Sequence, residues 1–496
     1  MRTAPAPASS RWGGSTAGFL TRVVTWAGIG LFVLIALEAT AMVGVIVARS
    51  VGDLQHPAVA PALLTSLLAV AATAALIAGV HRWTARDARR QWLIVMLGLS
   101  LVALIRIAIA LVIDAPVDRD MVAYDSLAAQ VLSDGRLFSE RPMGFPYLLA
   151  GSYAIVGRGA LAGEALNILA ALVGGLALWL LVRSAHRERA ANVALFLYAI
   201  WPAGALMTSV RLTETTYTVS LLLAVLAVMQ GARQQRTRDH ALAGGLLGVS
   251  QYFRPTSLFL LPAFLLAATS PGAVGRRRVL LGAVTVALAF LAVLLPVVEY
   301  NRQAHGELSV STSAYGGWSL WVGANQEHGG RWNPGDWEAL FQLTDGTVWD
   351  DSKAAGPLGV QRIREDPVGF ALLGIDKFQT MWGSEAYGVD FAIASRAAAL
   401  PEHTFLTLTS QIFYAVVTVA AALALIARRQ SLDQLGLLIV TVTLTVALMH
   451  VFVEVRDRYH AYLVPLFIAL ASDWIARQRA VSATEGNQIL PSGQPT

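Results

Sequence analysis

Long apolar runs separated by short polar connectors set the pattern of this chain. Runs near the roughly 20 residues that a helix needs to cross a bilayer predict spans at 18–48, 59–80, 92–113, 161–183, 190–209, 214–231, 240–253, 256–270, 279–299, 404–427, 433–453 and 460–476. The expected fold class is therefore an all-α polytopic membrane protein of about 12 transmembrane helices. Residues 1–17 and 478–496 read as disordered cytoplasmic tails, 18–91 as two additional N-terminal spans, and 92–299 as the core. A small mixed extracytoplasmic segment at 300–403 and C-terminal spans over 404–477 complete the division.

Between the third and fourth runs the pattern changes. Asp114, Asp118 and Asp120 follow directly on the span, then Met121, Tyr124, Leu127, Ala128, Val131 and Leu132 recur at helical spacing up to Asp134-Gly135. A second apolar stretch, 145–156, is closed by Gly157 and is too short to cross. Both stretches are expected to lie along the interface within an external loop, 114–160.

The chain has 496 residues, 55% hydrophobic and 14% charged, where a soluble protein carries about a quarter charged residues. It has no cysteine, which excludes disulfides and thiolate metal sites. Only Lys353 and Lys377 are lysines, so the net charge of +5 comes from arginine. Arginines cluster in alternate loops, around 82–90, 183–189, 233–238, 276–278 and 428–429. The positive-inside rule makes these loops cytoplasmic, with both termini on the same side, and turns 114–160 and 300–403 outward. This charge pattern explains orientation and implies no nucleic-acid partner. No phosphate-binding Gly-rich loop and no His pair at metal spacing occurs. Glu38 and Arg106 fall inside predicted spans, and a pairing between them is expected from their sign and depth. Aromatics Tyr315, Trp318, Trp321, Trp332 and Trp337 fit either an interfacial belt or stacking on sugar rings.

Span, acidic end, surface helix, then Arg141-Pro142-Met143-Gly144-Phe145-Pro146: this order resembles the first external loop of the polyprenyl-phosphate-sugar-dependent GT-C membrane glycosyltransferases, which include protein O-mannosyltransferases and aminoarabinose transferases. Further short resemblances are Ala165-Leu166-Asn167, Leu212-Thr213-Glu214, the Arg254-Pro255-Thr256 corner and Arg456-Asp457-Arg458-Tyr459. The resemblance implies a catalytic base about four residues before a Tyr, a spacing met by Asp120 and Tyr124. The family's Asp-Glu pair is absent, however, and Asp118 stands as a second candidate. It also implies a lipid-phosphate-linked sugar as donor and an extracytoplasmic glycan, lipid or protein hydroxyl as acceptor, all within reach of membrane lipid. No other cofactor is required by the sequence, and a divalent metal is left open.

Such a donor needs cations for its phosphate. Arg211, Arg254, Arg302, Lys377, Arg456 and Arg458 are expected on the outer face, with Glu214, Tyr124 and Tyr459 as further substrate-binding candidates. Arginine's planar fork suits phosphate, which singles out Arg456 and Arg458 as a clamp. A transporter or flippase for lipid-linked glycans, or a glycan polymerase or ligase, is the alternative reading.

Overall fold

The computed structural model describes residues 16–52, 64–66, 68, 91–115, 120–186, 188–269, 276–393 and 400–488. All regular elements among the described residues are helical. The extramembrane segment expected to be mixed is thus a helical one. In chain order the helices are α1 (Thr16–Gly52), α2 (Gln91–Val112), α3 (Asp120–Asp134), α4 (Gly144–Val156), α5 (Ala160–Ala185), α6 (Glu188–Ile200) and α7 (Pro202–Leu206). Then come α8 (Glu214–Gln234), α9 (Thr237–Gln251), α10 (Ser257–Ala268), α11 (Arg276–His305), α12 (Gly316–Gly323), α13 (Pro334–Leu340) and α14 (Val348–Glu365). The chain continues through α15 (Pro367–Gly383), α16 (Tyr387–Ile393), α17 (Leu400–Ala427), α18 (Gln434–Phe452) and α19 (Val464–Gln488), the last preceded by a 3-10 turn, Asp457–Leu463.

Eight helices among the described residues are long and apolar enough to cross a membrane, which makes this a multi-pass membrane protein. Four of the twelve expected runs are not among these eight. The run at 59–80 lies largely outside the described residues. The run at 190–209 bends by 57° between α6 and the α7 segment, because Trp201 is extended and Pro202 opens α7. Proline disfavours a helical residue before it and cannot donate to the preceding turn. Helices α9 and α10 have 15 and 12 residues, about 22 and 18 Å at 1.5 Å per residue, against a hydrocarbon core of about 30 Å.

Small residues let these short helices pack closely. A Cβ on Gly244 would stand 2.1 Å from the Val286 carbonyl oxygen, so α9 touches α11 backbone to backbone, the contact favoured between helices in lipid. The buried guanidinium of Arg106 in α2 donates to Val102 O at 3.3 Å and Ala199 O at 3.4 Å and lies over the Tyr198 ring. These are its partners, and no ion pair joins it to Glu38 among the described residues, contrary to expectation. Carbonyls freed at the α6–α7 bend explain the preference, since Ala199 lies in the last turn before it.

Outside the spans, α12 and α14 close a small core of Trp318, Trp321, Val322, Leu340 and Ala355. Lys377 ties this segment to the bundle. Its buried Nζ donates to Gly323 O at 2.9 Å and Val451 O at 2.8 Å, capping the ends of α12 and α18 together. Backbone bonds from Glu454 N to Ser319 O and from Val455 N to Gly330 O extend the seam.

Candidate active site

Five chain segments meet at one end of the bundle. Asp120 opens α3, a position where the helix dipole favours an acid. Arg141 stands just before α4, whose first residue, Gly144, donates its N–H to Tyr252 O at 2.7 Å. A Cβ on Gly144 would come within 2.9 Å of that carbonyl, so only glycine brings Arg141 this near the corner at 252–256. Glu214 opens α8, and Arg254 lies in the corner itself. Arg458 sits in the 3-10 turn before α19.

Asp120 is held on both oxygens. Arg141 Nη1 donates to Oδ1 at 2.9 Å and Arg458 Nη2 to Oδ2 at 2.7 Å. Arg458 also reaches Glu214 Oε1 at 3.5 Å, and Arg254 pairs with the same oxygen. Glu214 Oε2 stays buried without a hydrogen-bond partner among the described residues. Burial alone would raise the Asp120 carboxyl, but the Arg458 and Arg141 guanidiniums outweigh it and hold the group well below the usual carboxylate range. Burial and the nearby Asp120 charge push the Tyr124 phenol up to about 12, which keeps it a hydrogen-bond donor at neutral pH. Burial also raises the Glu454 carboxyl, against the pull of Arg456 and Arg458.

These groups line a cavity of about 1300 Å³. One wall is charged: Asp120, Arg141, Glu214, Arg254, Arg456 and Arg458. A second is aromatic, with Tyr315, Trp318, Trp332 and Trp337 from the extramembrane segment, and Arg456 lies over the Trp332 ring at 5.8 Å. The third is apolar, formed by Met42, Phe253, Leu258, Phe259 and Met449. Phe259 is half exposed on the outside of α10.

Tyr124 and Tyr459 also line this cavity. Other candidates lie elsewhere. Arg211 faces Asp125 at 3.4 Å, in a neighbouring cluster with Tyr153 and Arg158. Arg302 forms an exposed pair with Glu299 one helical turn away. Lys377 is occupied by the two helix ends. Asp118 lies outside the described residues. Trp321 turns away from the cavity to carry the Arg362 guanidinium. The sequence reading misses Arg141 as a cation of the site, although its place at the head of the Arg-Pro-Met-Gly-Phe-Pro element is a signal for it. Among the described residues no group of three or more His, Asp or Glu side chains is placed to hold a metal ion.

Residues 140–300 match the family model of the dolichyl-phosphate-mannose-protein mannosyltransferases. No curated protein sequence matches the chain. Among solved structures, the Archaeoglobus fulgidus oligosaccharyltransferase in complex with zinc and sulfate is 14% identical with a TM-score of 0.46, over 78% of this chain and 51% of that one. The chain spans about half the length of that archaeal protein. The oligosaccharyltransferase AglB from Archaeoglobus fulgidus, with an inhibitory peptide and a dolichol-phosphate, gives 13% and 0.46, over 83% and 53%. ArnT from Cupriavidus metallidurans bound to undecaprenyl phosphate is 15% identical with a TM-score of 0.36, over 82% of each chain. The stretch from Glu140 to Tyr300, which contributes Arg141, Glu214 and Arg254 to the cavity, thus carries the sequence pattern of the dolichyl-phosphate-mannose-protein mannosyltransferases, a GT-C glycosyltransferase family.

Proposed function

We propose that this protein is an integral membrane glycosyltransferase that moves one sugar from a polyprenyl phosphate to a hydroxyl on the extracytoplasmic side. The observation that carries the reading is Asp120, clamped between Arg141 and Arg458 on the wall of a cavity with charged, aromatic and apolar faces. Guanidiniums bind phosphate oxygens through paired N–H groups. Aromatic rings stack on sugars, and the apolar lining residues, with Phe259 half exposed, suit a prenyl chain. The unpartnered Glu214 Oε2 is an acceptor for a sugar or acceptor hydroxyl.

In this mechanism the acceptor oxygen attacks the anomeric carbon, its proton passes to Asp120, and the bond to the phosphate oxygen breaks. One displacement inverts the anomeric configuration. Tyr124 and the arginines position the groups, with Arg254 keeping Glu214 in place.

The test uses purified protein in lipid vesicles with a panel of synthetic prenyl-phosphate-linked hexoses and pentoses. Release of prenyl phosphate that depends on Asp120 is the expected result. Release of a diphosphate lipid would point to a polymerase or ligase. Movement of intact lipid-linked sugar across the vesicle membrane without cleavage would replace the enzyme by a transporter.

A further inference from the structure

The carboxylate proposed as base is paired with two guanidiniums. Both oxygens of Asp120 are bonded to guanidiniums, and a carboxylate so occupied is a poor proton acceptor. The two arginines are also the cavity cations nearest to it. We propose that the donor phosphate and Asp120 compete for Arg141 and Arg458, so that the base is released only when the donor is seated. The inference rests on the glycosyltransferase reading and adds the rule that the site stays inactive until loaded.

The geometry indicates which partner moves. The Arg458 side chain is 9% exposed and is anchored from behind by Glu214, whereas Asp120 is 31% exposed and stands at the start of a surface helix. The Arg141 guanidinium lies over the Tyr315 ring at 5.7 Å, which leaves its N–H edges free to change acceptor. When a phosphate arrives, the carboxylate gives way while the cations remain.

Charge is conserved through the cycle. Arg141, Arg254 and Arg458 bring three positive charges to Asp120 and Glu214, leaving one in excess. A sugar-linked polyprenyl phosphate is a diester with a single negative charge and cancels it. During transfer the acceptor's proton neutralises Asp120 as the electron pair of the broken bond adds a second negative charge to the phosphate. Glu214 and the product dianion then balance the three guanidiniums. Loss of the proton from Asp120 restores its claim on the arginines and helps expel the product. The other groups facing Asp120 are Tyr124, Tyr315 and Glu454. Neither phenol ionises in the working range, and the Glu454 carboxyl faces Arg456.

Titration of farnesyl phosphate into detergent-solubilised wild-type, Asp120→Asn and Arg141→Gln proteins tests the exchange. With the competing charge removed, Asp120→Asn should bind the probe about tenfold to hundredfold more tightly than wild type, and Arg141→Gln more weakly by a similar factor. In the Arg141→Gln background the gain from Asp120→Asn should shrink, because one contested cation is gone. Equal or weaker binding by Asp120→Asn, with its melting temperature unchanged, would sink the exchange and leave the donor assignment standing. Failure of all variants to bind the probe would sink the donor assignment itself.

Discussion

Arg458 and Asp120 are 338 positions apart in the chain and 2.7 Å apart in space, the arginine Nη2 donating to the carboxylate Oδ2. The 3-10 turn that leads into α19 thereby closes a site that begins at the first residue of α3. Replacing Asp120 by Asn keeps size and polarity but removes the proton acceptor. Turnover, read as prenyl phosphate released per enzyme, should fall about a hundredfold to ten-thousandfold. Asp118→Asn changes the charge two residues away and should retain activity. The reverse pattern would move the base to Asp118.

The two arginines of the Arg456-Asp457-Arg458 run have unequal environments. Arg458 is shared between Asp120 and Glu214, while Arg456 pairs with Glu454 at 3.3 Å and lies over Trp332. Arg458→Gln should raise the donor KM by about tenfold to hundredfold or abolish turnover, the value of a charge-assisted contact. The effect of Arg456→Gln should be smaller. Equal donor dependence in wild type and both variants would return these side chains to a structural role.

Lys377 is a buried lysine. Burial drives its ammonium down to about 7, against a weak opposing pull from Glu454. The folded state therefore holds fewer protons than the unfolded chain between about pH 7 and the ordinary lysine value near 10.4. Stability should rise with pH across that window. Thermal unfolding in detergent should show the slope in wild type and lose it in Lys377→Met. A slope unchanged by the substitution would assign it to another group.

Gly144→Ala should lower both stability and turnover, since the added carbon meets the Tyr252 backbone at 2.9 Å, which cannot rotate away. Overpacking of this kind costs about 1–3 kcal/mol. Gly151→Ala, on the same helix with nothing within 4 Å of the added carbon, is the control and should leave the melting temperature unchanged or slightly raised.

The arginine-bearing loops predict an orientation that can be tested. Cysteines placed singly at the exposed positions Asp134 and Asp345 should react with an impermeant thiol reagent in intact cells, and one at Ser431 should not. The absence of native cysteine keeps the background clean. Labelling at Ser431 alone would reverse the orientation.

Apolar runs reveal helices directly, because each crossing must bury its own backbone groups. They reveal bends and truncation less well. The run through Trp201-Pro202 reads as one span until the proline's effect on its predecessor is considered, and α9 and α10 are recognisable as short only from their length. That Asp120, Glu214, Arg254 and Arg458 come together at one cavity can be read from the sequence, because each stands at the end of an apolar run or at a proline corner. Arg302 and Lys377 fit the same description but turn elsewhere, to Glu299 and to two helix ends. Side-chain direction at a helix end depends on tertiary neighbours that no local pattern carries. Arg141 shows the converse, a residue whose motif was visible but whose partner, 21 positions earlier, was not.

The apolar wall of the cavity, with Phe259 reaching the outside of α10, has a consequence for kinetics. A prenyl tail that stays in the bilayer searches for its headgroup site in two dimensions, at a local concentration set by partition into lipid rather than by the aqueous volume. Donor capture can then proceed with a weak headgroup interaction, and the product can depart sideways without entering water. Under the donor reading, turnover should follow the surface density of lipid donor and be nearly indifferent to the total volume of the assay.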